Sequence, residues 1–202
     1  LSARLQSARE EERANVADLN YLAGRKAKMM GAFETALPYF RTAYYHLYSL
    51  QGSAKSIWER YHHLAYCVHL ELADAEFLNH NYDRVEPIIG EAVKHSRDEI
   101  EIANLKNILV VMYAIQFTRH QEALSIGLEI LLNLGIEINT TTPDDQRNEL
   151  QAVVKEGLYR KEISSLMELP SMKDLKMKTA MRIIRDLLIP SHYSSNYTVS
   201  EV

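Results

Sequence analysis

Three stretches of this chain align without a gap: Gly31-Ala-Phe-Glu-Thr-Ala-Leu-Pro-Tyr-Phe-Arg-Thr-Ala43, His80-Asn-Tyr-Asp-Arg-Val-Glu-Pro-Ile-Ile-Gly-Glu-Ala92 and Thr118-Arg-His-Gln-Glu-Ala-Leu-Ser-Ile-Gly-Leu-Glu-Ile130. Each has an aromatic residue or His at its third place (Phe33, Tyr82, His120) and a small apolar residue at its sixth (Ala36, Val85, Ala123). Two carry a large apolar residue four places further on (Phe40, Ile89), where the third has Gly127. A small residue lets two helices approach closely and a large one fills the gap beside it, so each stretch reads as the second half of a helix–turn–helix hairpin. The sixth-place residues stand 49 and then 38 positions apart (36 to 85, 85 to 123), longer and less even than a regular repeat of about 34.

Working outward, the helical period recurs along the chain. Residues 1–19 are charged and helix-prone. A helix carrying Leu19, Leu22, Ala23, Ala27 and Met30 on one face is predicted to break near Gly31, followed by one striped with Ala36, Phe40, Ala43 and Leu47. Gln51-Gly-Ser is a break. Helices are then predicted over Ile57 to Leu78, Tyr82 to His95, Glu99 to Phe117 and Gln121 to Leu134. The segment from Glu99 is apolar nearly all round, which suits a helix buried between neighbours. Asn139-Thr-Thr-Thr-Pro-Asp-Asp reads as a loop leading into a helix. Helices are expected at about 144–155, 160–169 and 173–188, the last ending at Pro190 before a polar tail.

Composition agrees. With 202 residues, 47% apolar and 25% charged, the chain can bury one substantial core. Only 7 Gly and 5 Pro argue for long helices with short connections. A net charge of −4 gives no reason to expect nucleic acid or an anionic membrane as partner. A single cysteine, Cys67, excludes an internal disulfide and suits a reducing, cytoplasmic compartment. No apolar run approaches the roughly 20 residues that span a bilayer. The chain opens on Leu1 and stops at Val202, and is expected to be a segment of a longer polypeptide.

The hairpin pattern resembles the tetratricopeptide repeat (TPR). Ala23-Gly24, Gly31, Ala36, Phe40 and Ala43 stand at the expected spacing, whereas Ala73, His80, Val111 and Thr118 replace the glycines of the later hairpins. A second resemblance rests on Tyr21-Leu-Ala-Gly-Arg-Lys-Ala-Lys, Ala36-Leu-Pro-Tyr-Phe-Arg-Thr-Ala, Leu70-Glu-Leu-Ala-Asp-Ala-Glu-Phe, Leu131-Leu-Asn-Leu-Gly-Ile and Leu169-Pro-Ser-Met-Lys-Asp. These are similar to the helical region of very large hybrid signalling kinases. Such proteins join a serine/threonine-kinase-like domain, an AAA-type ATPase, this region, a GAF sensor and often a histidine kinase. The resemblance implies a regulatory connector between ATPase and sensor, and gives the segment no kinase activity.

In a TPR-type array the first helix of each hairpin lines a concave face. The resemblance therefore places Tyr21, Arg25 and Lys28 there from the first hairpin, Leu70, Asp74 and Phe77 from the second, and Ile108, Met112 and Ile115 from the third. Basic groups in such a groove can hold an acidic peptide or a terminal carboxylate. The bland alternative is that Arg25 and Lys28 are solvated, or pair with acids such as Asp18.

The histidines are the other candidates for chemistry. Glu59-Arg-Tyr-His62 is a Glu-x-x-His element, but a di-iron bundle needs a second copy, which is missing; a partly exposed helix face is the simpler expectation. His69 falls on the packing face, as a core histidine would. None of the eight histidines has the Lys and Gly that typically follow a phosphotransfer histidine, and His95-Ser-Arg comes nearest. Gly-rich phosphate loops, protein-kinase strings and Gly-x-Ser-x-Gly are all missing. Cys67 sits in an apolar helix with no evident base, as a structural thiol does. The segment at 173–188 is amphipathic, with Lys173, Lys176, Lys178, Arg182 and Arg185 opposite Met177, Ala180, Met181, Ile184 and Leu187, and is expected to cap the array.

The expectation is thus an all-α, TPR-like α-solenoid. An N-terminal helix and three antiparallel hairpins over 1–138 form a right-handed stack, closed by a C-terminal helical cap over 139–202. It is expected to be a non-enzymatic scaffold without cofactor or metal, whose partner is a protein or peptide, chiefly neighbouring domains of the same polypeptide. The alternatives are a peptide-binding TPR adaptor, or the ligand-sensing arm of an ATP-dependent transcriptional regulator.

Overall fold

The computed structural model describes residues 2–49, 54–116, 118–138, 156 and 170–193; the loop and helices expected between 139 and 169, apart from residue 156, and the polar tail from residue 194 on lie outside the described residues. Among them the fold is all helical: α1 (Ser2–Met29), α2 (Phe33–Tyr48), α3 (Ala54–Leu78), α4 (Tyr82–Val93), α5 (Glu99–Ala114), α6 (His120–Asn133) and α7 (Leu175–Tyr193). The charged N-terminal stretch is not a separate helix but the first half of α1. The chain divides into two compact units, residues 1–112 and 113–202.

In the first unit consecutive helices pack: α1 on α2, α2 on α3 and α3 on α4, while α1 also touches α3. The repeat positions face inward. Ala36, Phe40 and Ala43 of α2, and Val85, Ile89 and Ala92 of α4, are all buried. A core of Ala36, Leu37, Phe40, Leu72 and Ala75 is flanked by Tyr21, Ala27, Tyr44 and Ile88. Gly24 lets α1 and α2 close on each other, with Phe40 in the space a side chain there would need.

The turns explain the first place of the first two aligned stretches. After α1, the Ala32 N–H donates to the Ala27 carbonyl and the Gly31 N–H to that of Lys28. This is a Schellman motif with Gly31 left-handed at φ +76. After α3 the same two bonds run from Asn81 to Glu76 and from His80 to Phe77. His80 takes the left-handed position (φ 62) that glycine holds in the first hairpin. Pro38 and Pro87, aligned in the repeat, both lie inside their helices on exposed positions. α3 bends at Tyr61, whose φ of −124 and ψ of 35 are not helical.

In the second unit α6 packs on α7. Ala123, Gly127 and Ile130, the third set of repeat positions, are again buried. Gly127 has no neighbouring large side chain of its own because Leu187 of α7 occupies that place. Asp174 caps α7: its Oδ1 accepts from the Lys176 and Met177 N–H groups at 2.9 and 3.2 Å. The expectation that this helix ends at Pro190 is corrected. α7 runs on to Tyr193 with Pro190 inside it; the proline gives up its own backbone bond and crowds the carbonyl four residues before it, and in this last turn the Ser191 hydroxyl donates to the Leu188 carbonyl at 2.9 Å. No helix among the described residues is long and apolar enough to cross a membrane.

Candidate functional site

The periodicity of α1 puts Tyr21, Arg25 and Lys28 on one face, and that of α3 puts Leu70, Asp74 and Phe77 on another. The structure brings these faces together. The Lys28 ammonium lies 2.6 Å from Glu71 and 2.5 Å from Asp74. Burial opposes charge on Lys28, but Asp74 and Glu71 more than offset it and hold the ammonium above its ordinary range. Arg25 stands half exposed, 3.8 Å from Glu71, with its guanidinium 5.8 Å from the Tyr21 ring centre. Phe77 meets Tyr82 of α4, ring centres 6.2 Å apart. A further bridge between α1 and α3 joins Glu10 to Arg60 at 2.8 Å.

The site is therefore not a free cationic groove. Asp74, expected to line it, neutralises Lys28, and the acids that pair with the basic cluster come from α3. Glu71 was not singled out in the sequence. Its signal was available: an acid beside Leu70 on the helix that must face α1. From the third hairpin, Ile108 and Met112 are buried, and Ile115 is exposed.

Behind Tyr21 lies Cys67, half-buried, its Sγ 3.8 Å from the His63 ring. Burial pushes the Cys67 thiol up. Burial, reinforced by Cys67, drives the Tyr21 phenol up to about 12. Both groups stay protonated at neutral pH, and a protonated thiol is a poor nucleophile.

The histidines gather elsewhere in the first unit. Trp58 has His62, His69 and His95 around it, ring centres 5.6, 4.9 and 5.0 Å away, with His95 stacked flat upon it. His69 is fully buried. Its Nδ1–H donates to the Ala65 carbonyl at 2.7 Å, which leaves Nε2 to accept the Tyr48 hydroxyl at 3.0 Å. Burial lowers its pKa to about 4, so it is neutral. The expectation of a partly exposed His62 is corrected: it is buried, and its Nε2 sits 2.9 Å from Glu101 of α5. Among the described residues no three His, Cys, Asp or Glu side chains converge as a metal site would require.

A buried ionic network centres on Glu76, which the helical period alone does not distinguish from a core position. Glu76, on the apolar stripe of α3 and almost wholly buried, accepts two hydrogen bonds from Arg41 at 2.8 and 2.7 Å and one from Asn81 at 2.8 Å. It ties α2, α3 and the turn into α4 together.

No family model matches the chain, and no solved structure matches it. Over 161 residues, 78% of its length, the chain is 25% identical to Hybrid signal transduction histidine kinase G of Dictyostelium discoideum; it spans 5% of that protein. The likeness supports a signal-transduction context.

Proposed function

We propose that the chain is a non-catalytic, TPR-like array of antiparallel hairpins, completed by packing of α7 on α6. It holds modules of a cytoplasmic signalling protein against one another. The observation that carries this reading is the direct meeting of α1 and α3, cross-linked by Lys28 between Glu71 and Asp74. Leading helices of successive hairpins lie side by side in solenoid interaction domains, where they line one continuous surface. The distant likeness to a hybrid histidine kinase supplies the signalling context. Chemistry of the chain's own is disfavoured by the state of its candidates: a protonated Cys67 and a neutral, buried His69.

The contact face is the mixed one of Tyr21, Arg25, Lys28, Asp74 and Phe77. Lys28 is held between two acids, whereas Arg25 is half exposed and 3.8 Å from Glu71, so it is the more accessible cation for an incoming carboxylate, with the rings of Tyr21 and Phe77 on the same face. The test is calorimetric binding of the purified chain to the ATPase and sensor modules of its own parent polypeptide. Arg25→Glu combined with Phe77→Ala is expected to weaken capture at least about tenfold with helical content unchanged. Capture of a separate protein's acidic or C-terminal peptide, with no binding to the modules, would instead make the chain a free-standing adaptor. Binding indifferent to both substitutions would overturn the assignment of this face.

A further inference from the structure

α3 sets two acids against neighbouring helices, and they are held in different ways. Glu76 is locked: 2% of its side chain is exposed, and its oxygens take two hydrogen bonds from Arg41 and one from Asn81. Glu71, five positions earlier, is 18% exposed and faces two cations of α1. One of its oxygens takes a hydrogen bond from Lys28 at 2.6 Å. The other lies 3.8 Å from Arg25 Nε, too far for a hydrogen bond. Lys28 does not depend on Glu71, because Asp74 holds the same ammonium at 2.5 Å. Drawing Glu71 away therefore leaves α1 tied to α3 through Lys28 and Asp74. A carboxylate with three donors in the core cannot be exchanged for another; one held by a single hydrogen bond at the edge of the packing can.

The two cations belong to the contact face. Arg25 is half exposed, with its guanidinium 5.8 Å from the Tyr21 ring centre. Its planar fork suits a carboxylate held by two parallel hydrogen bonds, which Glu71 does not give it. Arg25 and Lys28 together cancel Glu71 and Asp74, so these four charges sum to zero, and without Glu71 they leave one positive charge. We propose, on the reading of Tyr21, Arg25 and their neighbours as the contact face, that Glu71 occupies the seat of a partner's carboxylate. An incoming Asp or Glu side chain takes its place between Arg25 and Lys28, and Glu71 is the residue that sets the charge preference of the face. In the resting chain Glu71 competes with the partner. An isolated carboxylate is then a weak ligand, and a segment that also covers the rings of Tyr21 and Phe77 is a better one.

The experiment is an NMR titration of the 202-residue chain with hexaglutamate, acetylated and amidated so that its carboxylates are all side chains. Circular dichroism verifies that each variant is folded. Glu71→Gln keeps the shape of the side chain and gives up its charge. It is expected to tighten the probe about three- to tenfold at low salt, with the gain shrinking as salt is raised. Arg25→Gln in the same chain removes the gain. Asp74→Asn changes the net charge by the same amount but vacates no place beside Arg25, and tightens the probe less. In the wild-type chain the Glu71 carboxyl carbon resonance shifts as the probe saturates, a readout that needs no variant to fold. A Glu71 resonance that stays still while the probe binds overturns the proposal, and so does a chain, wild type or Glu71→Gln, that takes up no probe. Equal gains from Glu71→Gln and Asp74→Asn also overturn it, since net charge alone then explains both. Capture of the parent modules that depends on Arg25 and Phe77, with no gain in probe binding from Glu71→Gln, refutes the seat and leaves the contact face standing. Capture indifferent to Arg25 and Phe77 refutes the face, whatever the probe shows at Glu71.

Discussion

A side chain at Gly24 and the ring of Phe40 cannot share the space between α1 and α2: a Cβ on residue 24 would come within 2.7 Å of Phe40 Cε1. Phe40 itself is fully buried, so the ring has nowhere to retreat. The glycine in the first helix is thus the counterpart of the large residue in the second.

Gly24→Ala is accordingly expected to destabilise the first unit. Alanine favours helix over glycine by up to about 1 kcal/mol, but overpacking a filled core costs about 1–3 kcal/mol, and Phe40 is hemmed in by backbone and core. Denaturant unfolding should show a net loss of about 1–2 kcal/mol. Phe40→Leu added to Gly24→Ala should recover part of it, whereas Phe40→Leu alone should be destabilising.

His80→Gly is expected to stabilise the chain. A side chain in the left-handed region costs about 1–2 kcal/mol, and His80 sits there at φ 62. Against this stand the extra freedom of glycine in the unfolded chain and the lost bond between His80 Nδ1 and the Tyr82 hydroxyl at 2.8 Å. A net gain of about 0.5–1 kcal/mol is expected by urea denaturation; a net loss would mean the His80–Tyr82 bond outweighs the strain.

His69 should make the fold acid-sensitive. Its pKa is lowered from 6.5 to about 4, so between those values the unfolded chain takes up a proton that the folded one refuses. The stabilising contribution is complete above pH 6.5 and is lost as pH falls toward 4. The loss amounts to about 3 kcal/mol in all, at about 1.4 kcal/mol per pH unit. His69→Gln should flatten this part of the stability–pH profile when melting is followed from pH 7 to pH 4.

Arg41→Ala should be costly although Arg41 is a surface residue, because it strands the buried Glu76 carboxylate with Asn81 as its remaining side-chain donor. Breaking a buried pair costs about 3–5 kcal/mol. Arg41 is 43% exposed and water can follow it in, so about 2–3 kcal/mol is expected. Arg41→Ala with Glu76→Gln should be less damaging than Arg41→Ala alone, as judged from a double-mutant cycle by chemical denaturation.

The inward positions of α2, α4 and α6 were legible because the helical period is local; in α1 and at its end the stripe read from the same period fails, with Leu19, Leu22 and Met30 exposed. Ala36, Phe40, Val85, Ile89, Ala123 and Ile130 could be named as buried from a spacing of three and four alone. Gly127, which broke that pattern, became intelligible only with Leu187, sixty positions later in the chain. The left-handed turn after Phe77 carried no glycine to announce it.

The candidate site shows the same boundary. Tyr21, Arg25 and Lys28 could be placed on one face of α1, and Asp74 and Phe77 on one face of α3, because the 3.6-residue period determines which residues of a helix share a side. That Lys28 is held by Glu71 and Asp74, that His62 turns to Glu101 and that Arg41 closes over Glu76 were decided by tertiary structure. Each of these pairs joins residues 35 to 46 positions apart. An ion pair needs two side chains within about 4 Å, and only the packing of one helix on another sets that distance.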